Sequence, residues 1–449
     1  MIASFLFHDM IMYARVNAFV VAWLLVILVT LSKSDAHNPN NNDNDGRDEF
    51  GFTQLVGWVN SHGGYVNDSF DMKKIDGVRG GVAVNDIEKG TELLRSPWEI
   101  VIGSSSFENQ MQTQDMCNVV EEIANELQLG KDSNWYFYLM LHHDNIMNMS
   151  LPALWGPVAL QLLQGLPPRQ EANHHIRWLE EDCGQIYGLD NDNGHNVILR
   201  EALVLFVTRA TAVGMVPIYD LFNHHNGKRN AKLHVTDYGV QLITLEPIKA
   251  GNQIYISYGV KSAPTFLNNY GFVESWPQIW AWTDVSKSDS DNNGGRSNSH
   301  TLAFLEGKVA IYPNKEFLKE FWRSSGSSIK MFQDLAIQQN LKLSEDIISI
   351  FELSVRNLLD SLPTTVEEDV VILKGMNDNL LALQTMSTVS RTSTVKSKII
   401  VSDSNSNDDD IIVVKDSIAA VEYRIKFKDA LQAGFDEVAT LRMIVRSEL

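Results

Sequence analysis

Cysteine is scarce in this chain, which has Cys117 and Cys183 and no other cysteine in 449 residues. No CxxC or CxC cluster occurs, which argues against a structural zinc site. Two cysteines allow one disulfide but no disulfide framework. We expect both thiols to be buried as small hydrophobic side chains.

Basic charge is also in short supply. Lysine and arginine number 37 against 56 aspartates and glutamates, the net charge is −19, and no long basic run occurs. A protein that follows nucleic-acid phosphates usually presents a basic face, so we expect no nucleic-acid partner. A basic peptide or protein would be attracted instead. With 44% hydrophobic residues the chain can bury a sizeable core, and its length suits two or three domains.

The N-terminus has the pattern of a secretory signal. Arg15 precedes an apolar run from Ala18 to Leu31, and small residues follow as far as Ala36. The uncharged run is short for a membrane span, so we predict that residues 1–36 are a cleaved signal peptide. A signal anchor that stays in the membrane is the alternative, because the segment before Arg15 is long. Either way, the chain is expected to enter the secretory pathway, with the endoplasmic reticulum or secretion as its destination.

Hydrophobic periodicity changes several times along the rest of the chain. Short apolar runs broken by glycine and proline predict strands over residues 78–103 and 213–273. Apolar residues at three- and four-residue spacing predict helices over residues 108–180 and from Phe317 to the end. Polar runs rich in Asn, Asp, Ser and Gly indicate loops over residues 38–49, 286–299 and 402–410.

Three short segments combine amide, imidazole or phenol side chains with glycine. They are DLFNHHNG (220–227), QIYISYG (253–259) and NNYGFVE (268–274). None is a serine or cysteine nucleophile motif, and none has metal-ligand spacing. His224 and His225 are adjacent and point to different sides of an extended chain, so we expect no metal. Taken singly, the segments are also typical of a polar turn, a core strand and a buried strand with alternating aromatics.

Together with RGGVAVNDIEKGTELL (79–94), these segments resemble the motifs of SET-domain methyltransferases, in the expected order. LPTTVEEDVVIL (362–373) and AVEYRIKFKDAL (420–431) resemble the helical substrate-binding domain of Rubisco large-subunit methyltransferases, which the actin-histidine methyltransferases share. The resemblance covers roughly residues 50–445. One departure is KSAPTFL (261–267), where Ala263 and Pro264 replace the usual Asn and its neighbour, although proline is accepted in a first helical turn.

The resemblance implies an α+β fold, with short SET-type β-sheets, a helical insert and a mainly α-helical C-terminal domain. The predicted parts are a signal peptide or anchor (1–36), a linker (37–50), a SET domain (51–285) with its insert at about 108–205, a loop (286–300) and a substrate-binding domain (301–449).

The resemblance also implies S-adenosyl-L-methionine as cofactor and assigns residues to it. Tyr258 would lie beside the transferred methyl group and orient the acceptor amine. Arg209 would contact the cofactor's carboxylate, whereas Tyr255 is expected to be a core tyrosine. The other residues expected at the cofactor are Gly77, Val78, Arg79, Gly80, Asp220, Asn223, His224, Tyr270 and Phe272.

The expected activity is transfer of a methyl group to a lysine side chain of a folded protein. A protein-histidine methyltransferase of the same fold is one alternative, and a catalytically silent SET-fold binding protein is another. Enzymes of this type usually work in the cytosol, nucleus or plastid. Import into a plastid by a secretory route would reconcile that with the N-terminal signal.

Overall fold

The computed structural model describes most of the chain from Asp45 onward. Residues Glu49–Leu449 form a compact unit. The predicted signal segment and Gly77 lie outside the described residues. The described ranges are 45–75, 78–103, 113–146, 150–164, 166, 174–184, 193–274, 276–283, 299–323, 329–393 and 406–447.

The strands are short, and six of the eleven described lie within the predicted ranges 78–103 and 213–273, whereas those at residues 65–75 and 278–311 were not predicted. They are β1 (Tyr65–Val66), β2 (Phe70–Ile75), β3 (Val78–Ala83), β4 (Glu92–Pro97), β5 (Asn223–His224), β6 (Ala231–Thr236), β7 (Gly239–Thr244), β8 (Tyr255–Ile256), β9 (Gln278–Thr283), β10 (Ser299–Phe304) and β11 (Val309–Ile311). Within the described residues they form a four-stranded sheet in the order β1-β4-β7-β6, a three-stranded sheet in the order β11-β10-β9, and the pairs β2-β3 and β5-β8. The β5-β8 pair is parallel, whereas the other pairings are antiparallel.

Helices fill the predicted insert and most of the C-terminal part. They are α1 (Asp45–Ser61), α2 (Thr113–Leu129), α3 (Tyr136–Ile146), α4 (Pro157–Leu162), α5 (His174–Trp178), α6 (Asn193–Arg209), α7 (Ala263–Tyr270), α8 (Lys315–Arg323), α9 (Ile329–Asn340), α10 (Glu345–Ser361), α11 (Val366–Ser393) and α12 (Ser406–Ser447). The predicted α+β fold is therefore confirmed. α1 begins at Asp45, inside the run predicted to be a loop. No described helix carries an apolar stretch long enough to cross a membrane.

Two large hydrophobic cores and a smaller one, formed around Phe317, Phe321 and Phe332, organise the unit. In the first, the apolar face of α2 packs with α6 and the small sheets, and Val120 and Ile123 are fully buried there. In the second, α12 packs against α4, α10 and the β9-β10-β11 sheet, with Trp280, Tyr423 and Phe427 in ring contact. Strands β9 and β10 lie on either side of the predicted loop 286–300, so their pairing joins the two predicted domains.

The expectation that both cysteines are unpaired thiols is wrong, because Cys117 and Cys183 form a disulfide. Cys117 lies on the buried face of α2, and Cys183 ends the π-helical turn Leu179–Cys183 that follows α5. The two residues are 66 positions apart. Their burial was predictable from their type, but their pairing depends on how the insert folds back on α2.

The altered segment after the Tyr-Gly motif still begins a helix. Ser262 caps α7 by accepting a hydrogen bond from the Thr265 amide at 3.3 Å. Pro264 occupies the first turn, where its missing N–H leaves no helical hydrogen bond unmade. The departure at residues 261–267 therefore leaves the entry to the helix intact.

Candidate active site

The site is built around the parallel pair β5-β8, which the Asn-His and Tyr-Gly segments form. Asn223 lies opposite Tyr255, and His224 lies opposite Ile256. Strand β3 lies against this pair. A Cβ atom on Gly80 would come closer than 3.0 Å to the side-chain amides of Asn223 and Gln253. Only glycine therefore lets the β3 backbone approach the Asn223 amide this closely.

Glycine is required at the next position as well, because a Cβ on Gly81 would overlap the Phe222 ring. The flanking residues differ from this pattern. The Val78 side chain is 58% exposed at the start of β3. Arg79 is half-buried, and its guanidinium lies 3.5 Å from the Leu141 carbonyl oxygen on α3. The structure thus brings Gly80 to the predicted cofactor residues, whereas it leaves Val78 facing solvent.

The buried side chain of His224 links the β5-β8 pair to the segment that follows α7. Its Nδ1 accepts a hydrogen bond from the Tyr258 backbone N–H at 2.9 Å. Nε2 therefore carries the proton and faces Glu274 Oε2 at 3.2 Å. The imidazole fixes the backbone of Tyr258 and packs on Phe266, with ring centroids 4.6 Å apart.

Three side chains that the sequence did not point to hold the Tyr-Gly turn in place. Glu274 Oε1 accepts from the Asn226 backbone N–H at 2.7 Å. The Asn226 side chain donates to the Gly259 carbonyl and accepts from the Ser257 hydroxyl. Ser257 in turn accepts from the Gly259 N–H, and Gly259 has a φ of 103°. Asn226, Ser257 and Glu274 all lie within the three motif segments, but the motifs did not indicate what these side chains bind.

Tyr258 lies at the centre of an aromatic cluster. Its hydroxyl donates to the Phe222 carbonyl oxygen at 2.8 Å, which fixes the position of the phenol. Its ring centroid is 4.9 Å from that of Tyr270, and Tyr270 is 6.2 Å from Phe272. Tyr270 ends α7 and Gly271 follows with a φ of 76°, so these aromatics flank a helix end rather than alternate along a buried strand.

The phenols at this site stay neutral over the physiological pH range. Burial raises the pKa of Tyr258 to about 12. Burial also raises the pKa values of Tyr219 and Tyr270, and the neighbouring Tyr258 phenol raises both further. Tyr219, buried in the same core, is therefore close to Tyr258, although no sequence motif singled it out. It follows Ile218, a buried residue with a φ of 71°, which a β-branched side chain rarely adopts.

Arg209 and Asp220 form the charged part of the site. Arg209 is the last residue of α6, and its Nη1 donates to the backbone carbonyl of Asp220 at 2.8 Å. Asp220 is only 4% exposed, and its Oδ2 accepts from the Tyr138 hydroxyl at 2.7 Å. Asp220 lies two residues before Phe222, whose carbonyl oxygen accepts from the Tyr258 hydroxyl, so the pair lies near the aromatic cluster.

His225 has a different environment from His224. Burial lowers its pKa to about 4, so the ring is neutral at physiological pH. The ring packs edge-on against Tyr255 and Trp276. Among the described residues no group of three or more His, Cys, Asp or Glu side chains is arranged to hold a metal ion.

Comparison with known proteins agrees with this geometry. Residues 78–259 match the family model described as the SET domain. That span begins with β3 and ends at the Tyr-Gly turn, so it contains Gly80, Asn223 and Tyr258.

Two curated relatives are methyltransferases. N-lysine methyltransferase setd6 of Danio rerio is 22% identical over 236 residues, which cover 44% of this chain and 51% of that protein. Actin-histidine N-methyltransferase of Gallus gallus is 34% identical over 80 residues, which cover 17% of this chain and 14% of that protein. The alignments thus span about half or less of each relative's length.

A solved structure of Rubisco LSMT bound to sinefungin and monomethyllysine has the same fold. The TM-score is 0.54 at 17% sequence identity, and the match covers 88% of this chain and 92% of that chain. The predicted fold, a SET-type core with a helical insert followed by a mainly helical C-terminal part, is confirmed by this match.

Proposed function

Because residues 78–259 match the SET-domain family model, we propose that this chain is a protein methyltransferase that uses S-adenosyl-L-methionine. The observation that carries the proposal is the pairing of Arg209 with Asp220 beside the Gly80–Asn223 contact and Tyr258. This arrangement offers a site for a charged amino acid next to a narrow aromatic cluster.

The residues fit the amino-acid end of the cofactor, which carries a carboxylate and an ammonium group. The Arg209 guanidinium suits a carboxylate, because its planar donors match two carboxylate oxygens. Asp220 Oδ1 is buried and has no hydrogen-bond partner among the described residues, so it can accept from an ammonium group. A ligand that carries both an ammonium and a carboxylate group would thus give the buried Asp220 Oδ1 the partner that it lacks among the described residues.

When bound, the cofactor supplies a methyl group on a positively charged sulfur, which is the electrophile of the reaction. The protein then has to align a neutral nucleophile and exclude water. Tyr258 is fixed by Phe222 and by the His224 contact to its backbone, and Tyr270 packs beside it. Neutral rings at this position would suit an uncharged amine better than a hydrated ammonium ion.

We propose lysine as the acceptor. The setd6 alignment, which spans more of both chains than the actin-histidine alignment, favours a lysine acceptor. A histidine acceptor is the second candidate, because the actin-histidine enzyme of Gallus gallus has the higher identity in the aligned stretch. The substrate is proposed to be a folded protein.

The test is transfer of a labelled methyl group from S-adenosylmethionine to proteins of a cell extract by the purified full-length chain. We expect a labelled protein band and methyllysine in its hydrolysate. The rate should rise with pH from 6 to 9, because lysine with an ordinary pKa of about 10.4 must lose a proton first. Methylhistidine, with a rate that levels off above about pH 7, would favour the histidine reading. Cofactor binding without transfer to any protein would favour a silent binding protein.

We also propose that the chain works in an oxidising compartment. The Cys117–Cys183 disulfide supports this, because disulfides persist mainly in secreted and endoplasmic-reticulum proteins. The secretory pattern of residues 1–36 is independent support. A fusion of residues 1–60 to a fluorescent reporter should enter the endoplasmic reticulum, a secretory-route plastid or the medium. Cytosolic fluorescence would contradict the proposal.

A further inference from the structure

A buried polar cluster surrounds the Asp220 side chain. Two of its residues come from α3, which carries none of the SET motifs. Tyr138 and His142 are four residues apart on α3 and therefore share one face of that helix. Their side chains are 0% and 1% exposed, and their rings meet edge-on at 5.1 Å. Both face Asp220, which lies 82 residues after Tyr138.

The contacts of the cluster are directed at one carboxylate oxygen. The Tyr138 hydroxyl donates to Asp220 Oδ2 at 2.7 Å. His142 Nε2 lies 3.1 Å from the same oxygen, in an orientation that makes no hydrogen bond, and burial lowers the pKa of His142. A neutral phenol and a neutral imidazole thus surround Oδ2, while the buried Oδ1 is left for another group.

We propose that Tyr138 and His142 are positioning residues that hold Asp220, and through its backbone carbonyl Arg209, for the amino-acid end of S-adenosylmethionine. The inference rests on the proposed function. It follows from the chain of contacts Tyr138–Asp220–Arg209, in which each member touches the next. Without the phenol, Oδ2 would lose its donor and the Asp220 side chain could turn towards Arg209.

The charges around the cluster agree with this role. Arg79 and Arg209 both lie close enough to His142 to lower its pKa electrostatically, whereas Asp220 acts in the opposite direction. Arg209 donates to the Asp220 backbone carbonyl, and Arg79 lies 3.5 Å from the carbonyl oxygen of Leu141, the neighbour of His142, so both guanidinium groups lie near the cluster. The excess positive charge favours a ligand that brings a carboxylate of its own.

The test compares two ligands by titration calorimetry on the full-length chain. S-adenosylmethionine has the amino-acid end, and 5′-methylthioadenosine lacks it. Tyr138→Phe should weaken binding of S-adenosylmethionine about tenfold, because one hydrogen bond to a charged group is lost. It should leave binding of 5′-methylthioadenosine unchanged. His142→Leu should weaken the first ligand selectively as well, and His142→Gln, which keeps a polar side chain beside Oδ2, should recover part of the loss.

The matched control is Tyr136→Phe, on the same helix, where the ring contacts Phe137. This variant should bind both ligands like the wild type. Equal weakening of both ligands by Tyr138→Phe would overturn the inference, because it would show only a structural role. Unchanged binding of S-adenosylmethionine would overturn it too. If the wild-type chain bound neither ligand, the proposed function itself would fail.

Discussion

Replacing Tyr258 with phenylalanine is expected to slow methyl transfer on the order of 100-fold while leaving S-adenosylmethionine binding within about twofold of the wild type. The substitution removes one hydroxyl and keeps the ring. That hydroxyl is held by the Phe222 carbonyl at 2.8 Å, so its oxygen lone pairs have a fixed direction in the aromatic cluster. A fixed polar atom beside the reacting groups acts mainly on the transition state.

The raised pKa of Tyr258 decides which role the hydroxyl can have. At about 12, the phenol stays protonated between pH 6 and 9. It can orient an acceptor or contact the polarised methyl group, but it cannot accept the proton of a lysine ammonium in that range. The acceptor must therefore lose its proton to a group other than Tyr258 before transfer, and we propose that this is water. Tyr258→Phe should lower the rate at every pH without changing the shape of the pH profile.

The matched control is Tyr255→Phe, three residues earlier. The Tyr255 ring packs edge-on against His225, whereas the Tyr258 ring packs against Tyr270. This variant should keep near-normal transfer rates. Labelled transfer to the extract protein and calorimetric cofactor binding are measured for both variants. A Tyr258→Phe variant that transfers methyl groups at the wild-type rate would show that the Tyr258 hydroxyl has no catalytic role.

The sequence motifs pointed to residues whose positions depend mainly on their neighbours in the chain. Asn223 and His224 lie in the β5-β8 pair, Gly80 of β3 lies against Asn223, and His224 bonds to the Tyr258 backbone just after β8. The parts that were missed depend on long-range packing. Tyr138 reaches Asp220 across 82 residues, and α3 has no sequence pattern that singles out this face. The disulfide was missed for the same reason, because hydrophobic periodicity predicts that a cysteine is buried but not which cysteine it contacts.

The C-terminal part shows the same limit. LPTTVEEDVVIL and AVEYRIKFKDAL resemble the helical substrate-binding domain, and apolar spacing predicts helices in this part of the chain. The sequence did not show that the charged residues within them meet in the core. Asp369 is 0% exposed and lies between Arg424 and Lys428, which are 1% and 2% exposed. Acidic and basic residues on two helices usually indicate solvated faces, so burial of this cluster follows only from the packing of α11 on α12.

Asp369 is the only carboxylate that the structure shows bonded to these two cations. It accepts hydrogen bonds from the Arg424 guanidinium, from Lys428 Nζ at 2.6 Å and from the Thr364 hydroxyl at 2.7 Å. Arg424 also donates to the Leu162 carbonyl at 2.8 Å, which ties α12 to the end of α4 in the helical insert. The cluster therefore anchors the C-terminal helices to the insert as well as to each other.

Asp369→Asn is therefore expected to lower the free energy of unfolding by about 3–5 kcal/mol, because two buried cations lose their counter-charge. Urea unfolding followed by tryptophan fluorescence measures the change, since Trp280 and Trp282 contact Phe427 in the same core. The control is Asp86→Asn, which breaks the exposed Asp86–Lys249 pair and should leave the midpoint unchanged. An Asp369→Asn midpoint equal to that of the wild type would mean that water reaches the cluster. In that case the Arg424 and Lys428 contacts would not hold α12 in place, and apolar packing in the second core would have to do so alone.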